Sequence, residues 1–85
     1  MDKMITIYGM RDCSDCKRAK ALLQSKQIVY KEFWIEEDQK VLDYALSING
    51  GVMITPTIQF PDGSVLVEPD NEQLEKKLKK INLLS

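Results

Sequence analysis

Apolar residues along the chain come in short bursts whose spacing alternates between strand-like and helix-like. Met4-Ile-Thr-Ile-Tyr8 is apolar and β-branched, short enough for a buried strand, and Gly9 punctuates its end. From Ser14 the period changes. Cys16, Ala19, Ala21, Leu22 and Leu23 are spaced for one helical face, with Lys17, Arg18, Lys20 and Lys26 outside it, which predicts a helix over residues 14–25. Residues 28–35, with bulky Tyr30 and Trp34 around Lys31 and Glu32, predict a second strand. Glu36, Glu37 and Asp38 suit the first turn of a second helix, where negative charge complements the dipole. Val41, Leu42, Ala45 and Leu46 form the apolar face of that helix, and Asn49-Gly50-Gly51 is its stop.

Beyond Pro56, Thr57-Ile-Gln-Phe60 alternates like a half-buried strand. Pro61-Asp62-Gly63-Ser64 is a turn, so Val65-Leu-Val67 returns as the other arm of a hairpin. Asp70 or Asn71 caps a last helix whose Leu74, Leu78 and Ile81 share a stripe and whose lysines gather in the later turns. The order βαβαββα predicts an α/β fold with a four-stranded mixed sheet flanked by three helices. Its first two strands run parallel, and the hairpin adds an antiparallel edge.

Composition narrows the function more than the fold. The 85 residues, 44% hydrophobic, suffice for one domain spanning residues 1–85, with no repeat, low-complexity tract or linker. Twelve basic and thirteen acidic residues nearly cancel, so no long-range field favours a nucleic acid or a membrane surface. The N-terminus lacks the basic region and apolar run of a secretory signal, and no stretch is apolar enough to span a bilayer. The expectation is a soluble, cytoplasmic monomer whose function resides in a local site.

Two cysteines and no histidine exclude Cys-His nucleophilic pairs, His-carboxylate zinc catalysis and Cys2His2 fingers. What remains is Cys13-Ser14-Asp15-Cys16, placed where a strand feeds a helix. A helix start offers unpaired N–H groups and the positive end of a dipole, which favour a thiolate at Cys13. Cys16, three residues on, should be more buried and less acidic. The pattern predicts that Cys13 attacks a disulfide and that Cys16 resolves the mixed disulfide. Arg11, Lys17 and Arg18 should support the thiolate, whereas Asp12 and Asp15 oppose it, and the sum stays open. Lys17, Arg18 and Lys20 equally suit a solvated helix face. The alternatives for the cysteine pair are half of an intermolecular zinc site or two ordinary thiols.

The run Tyr8-Gly-Met-Arg-Asp-Cys13-Ser-Asp-Cys16-Lys-Arg-Ala-Lys-Ala-Leu-Leu, followed by Ile54-Thr55-Pro56-Thr57, resembles the glutaredoxin family of the thioredoxin-like superfamily over nearly the whole chain. The segment Phe60-Pro-Asp-Gly-Ser-Val-Leu-Val-Glu-Pro69 is most similar to the mycoredoxin-like branch. The resemblance implies that Pro56 is cis beside the cysteines and that the Thr55 backbone pairs with substrate. It also implies that backbone N–H groups around Asp70 and Asn71 hold a small-thiol carboxylate, with Arg11 able to contact the other end of the molecule. No bound cofactor or metal is implied. The reductant would be glutathione, another low-molecular-weight thiol, or thioredoxin reductase, with electrons from an NADPH-dependent enzyme. Substrates would be protein disulfides or small-thiol mixed disulfides.

Three departures bear on the choice of small thiol. Ser14-Asp15 stands where classical members place Pro-Tyr, and Met10 where many have lysine. Val67-Glu68 replaces the Gly-Gly that lets backbone approach glutathione. Rival readings are a dedicated electron donor of the ribonucleotide reductase type, whose usual aromatic-rich segment is missing here, a redox sensor, and a zinc-bridged dimer.

Overall fold

The computed structural model describes residues 4–83. Its elements run β1 (Ile5–Gly9), α1 (Ser14–Ser25), β2 (Tyr30–Trp34), α2 (Gln39–Ile48), β3 (Thr57–Gln59), β4 (Val65–Val67) and α3 (Asn71–Lys80). The sheet order is β2-β1-β3-β4. β1 pairs in parallel with β2, Gly9 opposite Trp34, and antiparallel with β3, Tyr8 opposite Thr57. β4 closes the far edge antiparallel to β3. The predicted topology is therefore the observed one.

Side chains alternate across β1, and that alternation divides the core. Ile5 and Ile7 point to one face, where Ala19 and Leu23 of α1, Ile58 of β3, and Leu74 and Leu78 of α3 bury against them. Tyr8 points to the other face and packs with Ile35 and Ala45 beneath α2. Burial of these side chains, each worth about 1.5–3 kcal/mol for a large aliphatic residue, is what aligns α1 and α3 side by side under the sheet. The start of α3 is thereby brought next to the first turns of α1.

Local expectations differ from the structure at four places. Glu36 and Glu37 precede α2, and only Asp38 reaches the helix, as its N-cap accepting the Lys40 N–H at 2.9 Å. The two glutamates serve Arg11 instead, as described below. β2 begins at Tyr30, not residue 28, because Gln27 adopts a positive φ of 57° and the chain is still turning out of α1. Ala21 is exposed although its spacing suits the apolar face, since Leu22 and Leu23 already fill that side. Lys20 is not free on a solvated face: its ammonium lies 2.7 Å from Glu32 and 5.0 Å from the Trp34 ring centroid.

Candidate active site

The end of β1 and the start of α1 set the two cysteines. Cys13 is extended, with φ −135° and ψ 108°, and acts as the N-cap of α1. Its sulfur accepts the Cys16 backbone N–H at 3.1 Å, the bond that a serine or aspartate oxygen makes at an ordinary helix start. Its own carbonyl accepts the Lys17 N–H at 3.1 Å, the first bond of the helix. Cys13 is partly exposed, whereas Cys16 is 1% exposed and lies against Gly9, and both are free thiols.

The two thiols are driven in opposite directions. Burial works against a thiolate at Cys13. Hydrogen bonds from the Cys16 thiol, the Thr55 hydroxyl and the Cys16 N–H outweigh it, although the Asp15 charge opposes them, and Cys13 ends below its ordinary value. Cys16 is pushed up to about 11, first by burial, then by donating to the Cys13 sulfur and by the charge there, although the Met10 N–H partly relieves it.

The third component arrives from the far side of the sheet. Pairing of β3 with β1 carries the Ile54–Thr57 segment to the cysteines, and the Thr55-Pro56 peptide is cis, as the resemblance implies. The Thr55 hydroxyl donates to the Cys13 sulfur at 3.5 Å across 42 residues of sequence. Only the Thr55 backbone was expected to act here, so its side chain is an addition. Pro56 is buried, and its carbonyl accepts the Glu68 N–H at 2.8 Å, tying this segment to the start of α3. Further support comes from Asn49, whose amide donates to the Thr57 hydroxyl at 3.1 Å, while that hydroxyl donates to the Ile54 carbonyl at 2.8 Å. Thr55→Val should therefore make Cys13 less acidic. Its alkylation at a pH below its midpoint should slow roughly fivefold, the equivalent of one hydrogen bond of about 1 kcal/mol. A rate equal to that of the native protein would remove the hydroxyl from the site.

The remaining candidates have other engagements. Arg11 is held by Glu36, which accepts its backbone N–H at 2.6 Å, by an ion pair with Glu37, and by the Trp34 ring at 5.5 Å. Asp70 is the N-cap of α3: its carboxylate accepts the Gln73 N–H at 2.7 Å, and its own N–H donates to the Gln73 side chain at 2.9 Å. Asn71 accepts from Arg18 at 3.1 Å. Arg18, read from sequence as support for the thiolate or as part of a solvated face, thus spans two helices. Nothing local signals this, because its partners are 51 and 53 residues away.

A sheet of order β2-β1-β3-β4, a dithiol at the start of α1 and a cis-proline segment beside it define a thioredoxin-like protein. The chain belongs to the glutaredoxin family, whose model matches residues 5–66. Two Mycobacterium tuberculosis proteins, each named "putative glutaredoxin" and from different strains, are 38% identical over 77 residues, covering 91% of this chain and 92% of theirs. The crystal structure of the thioredoxin-like protein BC3987 superposes with a TM-score of 0.75 at 28% identity, covering 85% of this chain and 96% of that one. A glutaredoxin from Archaeoglobus fulgidus shares the fold, with a TM-score of 0.76 at 23% identity over 87% of this chain and 84% of its own.

Proposed function

We propose that this protein reduces protein disulfides, or mixed disulfides of a small thiol, by a dithiol exchange in which Cys13 attacks and Cys16 resolves. The observation that carries the reading is the placement of the two thiols at the start of α1, Cys13 partly exposed as the N-cap with its sulfur accepting from the Cys16 N–H and the Thr55 hydroxyl, and Cys16 buried behind it, within a family whose chemistry is thiol-disulfide exchange. The Cys13 thiolate attacks one sulfur of the substrate, forming a mixed disulfide and expelling the other sulfur as thiolate. That step removes the charge at Cys13, and with it two of the influences that keep Cys16 protonated. Cys16 can then lose its proton, attack the Cys13 sulfur and expel the second substrate thiolate. Two electrons pass from the dithiol to the substrate, and a Cys13–Cys16 disulfide remains. An NADPH-dependent reductase, acting directly or through a small thiol, returns the protein to the dithiol state. In this reading the protein works as a monomer in the cytoplasm, where thiols are kept reduced.

The start of α3 supports poor binding of glutathione compared with a typical glutaredoxin. An anion bound there would use backbone N–H groups, but those of Asp70 and Gln73 already serve the capping box, and Pro69 has none. Glu68 adds a like charge in the same place, and it holds a left-handed φ of 49°, a conformation that costs an L-residue about 1–2 kcal/mol. Glu68→Gly should relieve that conformation and remove the charge. We expect stability to rise by up to about 1 kcal/mol, since glycine returns part of the gain as unfolded-chain entropy. Coupled turnover with NADPH, using thioredoxin reductase in one assay and glutathione with its reductase in another, tests both statements. The native protein should turn over in at least one assay, and Glu68→Gly should gain in the glutathione assay. No turnover in either assay would reject the proposed activity. Full glutathione activity in the native protein, with no gain on substitution, would reject only the poor binding of glutathione.

A further inference from the structure

Asp15 is badly chosen for a thiolate site: it carries a negative charge in the same helical turn as Cys13, and that charge opposes the anion. Its carboxylate is nevertheless restrained. The Arg18 guanidinium holds it at 3.1 Å, one turn along α1. Arg18 is itself anchored from α3, donating to the Pro69 carbonyl at 3.2 Å and to the Asn71 side chain at 3.1 Å. Pro69 is buried and conformationally restricted, so the anchor is stiff. A planar guanidinium presents several donors in a fixed geometry, which lets one side chain meet all three acceptors.

We propose that Arg18 is a positioning residue that draws the Asp15 carboxylate toward the start of α3, away from the Cys13 sulfur, and so preserves the thiolate that begins the exchange. This deepens the proposed function and rests on Cys13 being the attacking thiol. The other charges around Cys13 are placed differently. Arg11, on the same loop, is committed to Glu37, and Asp12 beside it is acidic. Lys17 follows on α1, while Glu68 and Asp70 at the start of α3 are acidic, and the Thr55-Pro56 segment brings no charge.

The rate of Cys13 alkylation as a function of pH, with the labelled peptide identified by mass spectrometry, tests this in the native protein, Arg18→Gln, Asp15→Asn and the double variant. Arg18→Gln should slow alkylation about threefold below the Cys13 midpoint, the scale of a half-exposed charge interaction. Asp15→Asn should speed it. In the Asp15→Asn background the Arg18→Gln change should have no effect, because no carboxylate remains to be released. Well above the midpoint, where Cys13 is fully ionised, all four proteins should react alike, an outcome that a merely structural role for Arg18 would not give. Equal slowing by Arg18→Gln in both backgrounds, or none in either, would overturn the positioning role while leaving the exchange chemistry intact. Should Asp15→Asn alone fail to speed the reaction, the role falls on a variant that leaves the α1–α3 contact in place. Preferential labelling of Cys16 in the native protein would reject the proposed dithiol roles, and this inference with them.

Discussion

Cys13→Ser should reduce disulfide turnover to background, and Cys16→Ser should stop it at the mixed disulfide. The asymmetry follows from the two environments. In the proposed exchange Cys13 supplies the anion, its sulfur accepting from the Cys16 N–H and the Thr55 hydroxyl, and a serine hydroxyl there is not ionised at any working pH. Cys16 is buried, and in the proposed exchange it acts only after the first bond has formed. In Cys16→Ser the backbone N–H still reaches Cys13, and the serine hydroxyl can donate as the thiol did, so the first attack survives. Exposure to a small symmetric disulfide should then leave one adduct per molecule on Cys13, visible by mass spectrometry. Alkylation of this variant should rise with pH about a midpoint below the ordinary thiol value. Cys13→Ser should instead react slowly, because burial still holds Cys16 above its ordinary value. Failure of Cys16→Ser to form an adduct would mean that Cys16 takes part in the first step. Faster labelling of Cys16 than of Cys13 would reverse the roles.

Gly9→Ala should damage the protein through space alone. Gly9 ends β1 opposite Trp34, and its carbonyl accepts the Ile35 N–H at 3.0 Å. A Cβ at this position would stand 3.0 Å from the Cys16 sulfur and 3.6 Å from the Cys16 Cβ. Such a contact is relieved cheaply only at the tip of a long, mobile side chain. The Cys16 side chain is short, buried and bonded to the Met10 N–H, so the sulfur or β1 must shift by a few tenths of an ångström. Overpacking of this kind costs about 1–3 kcal/mol. For a domain of this size each 1 kcal/mol lowers Tm by about 4–8 °C. Gly9→Ala should also slow resolution of the mixed disulfide, because the attacking sulfur is the atom displaced. The thermal penalty should shrink in a Cys16→Ala background, where the sulfur is gone, a coupling that a double-mutant cycle measures. An unchanged Tm for Gly9→Ala, or an equal loss in both backgrounds, would place the constraint elsewhere.

How far each feature could be read from sequence depends on the distance over which its cause acts. Hydrophobic spacing sufficed for the order of elements, because burial selects the same face every three to four residues in a helix and every second residue in a strand. The start of α1 was equally legible, since Cys13 caps a helix whose N–H groups lie within its own first turn. The family pattern around Pro56 supplied the cis bond, which propensity alone would not have given. Side-chain partners among charged residues were not legible. Arg11, Lys17 and Arg18 are equivalent in sequence, each a cation near Cys13. Only the fold separates them, sending Arg11 to Glu37 across 26 residues and Arg18 to the Pro69 carbonyl across 51. Glu36 and Glu37 misled for the same reason: their charge suits a helix dipole nearby, but the turn after β2 delivers them to Arg11. The sequence alone therefore determined where the two thiols lie and which one occupies the helix start. The pairing of β3 with β1 and the packing of α3 beside α1 decided what surrounds them, because contacts between distant segments depend on sheet register and shared burial, which no local pattern encodes.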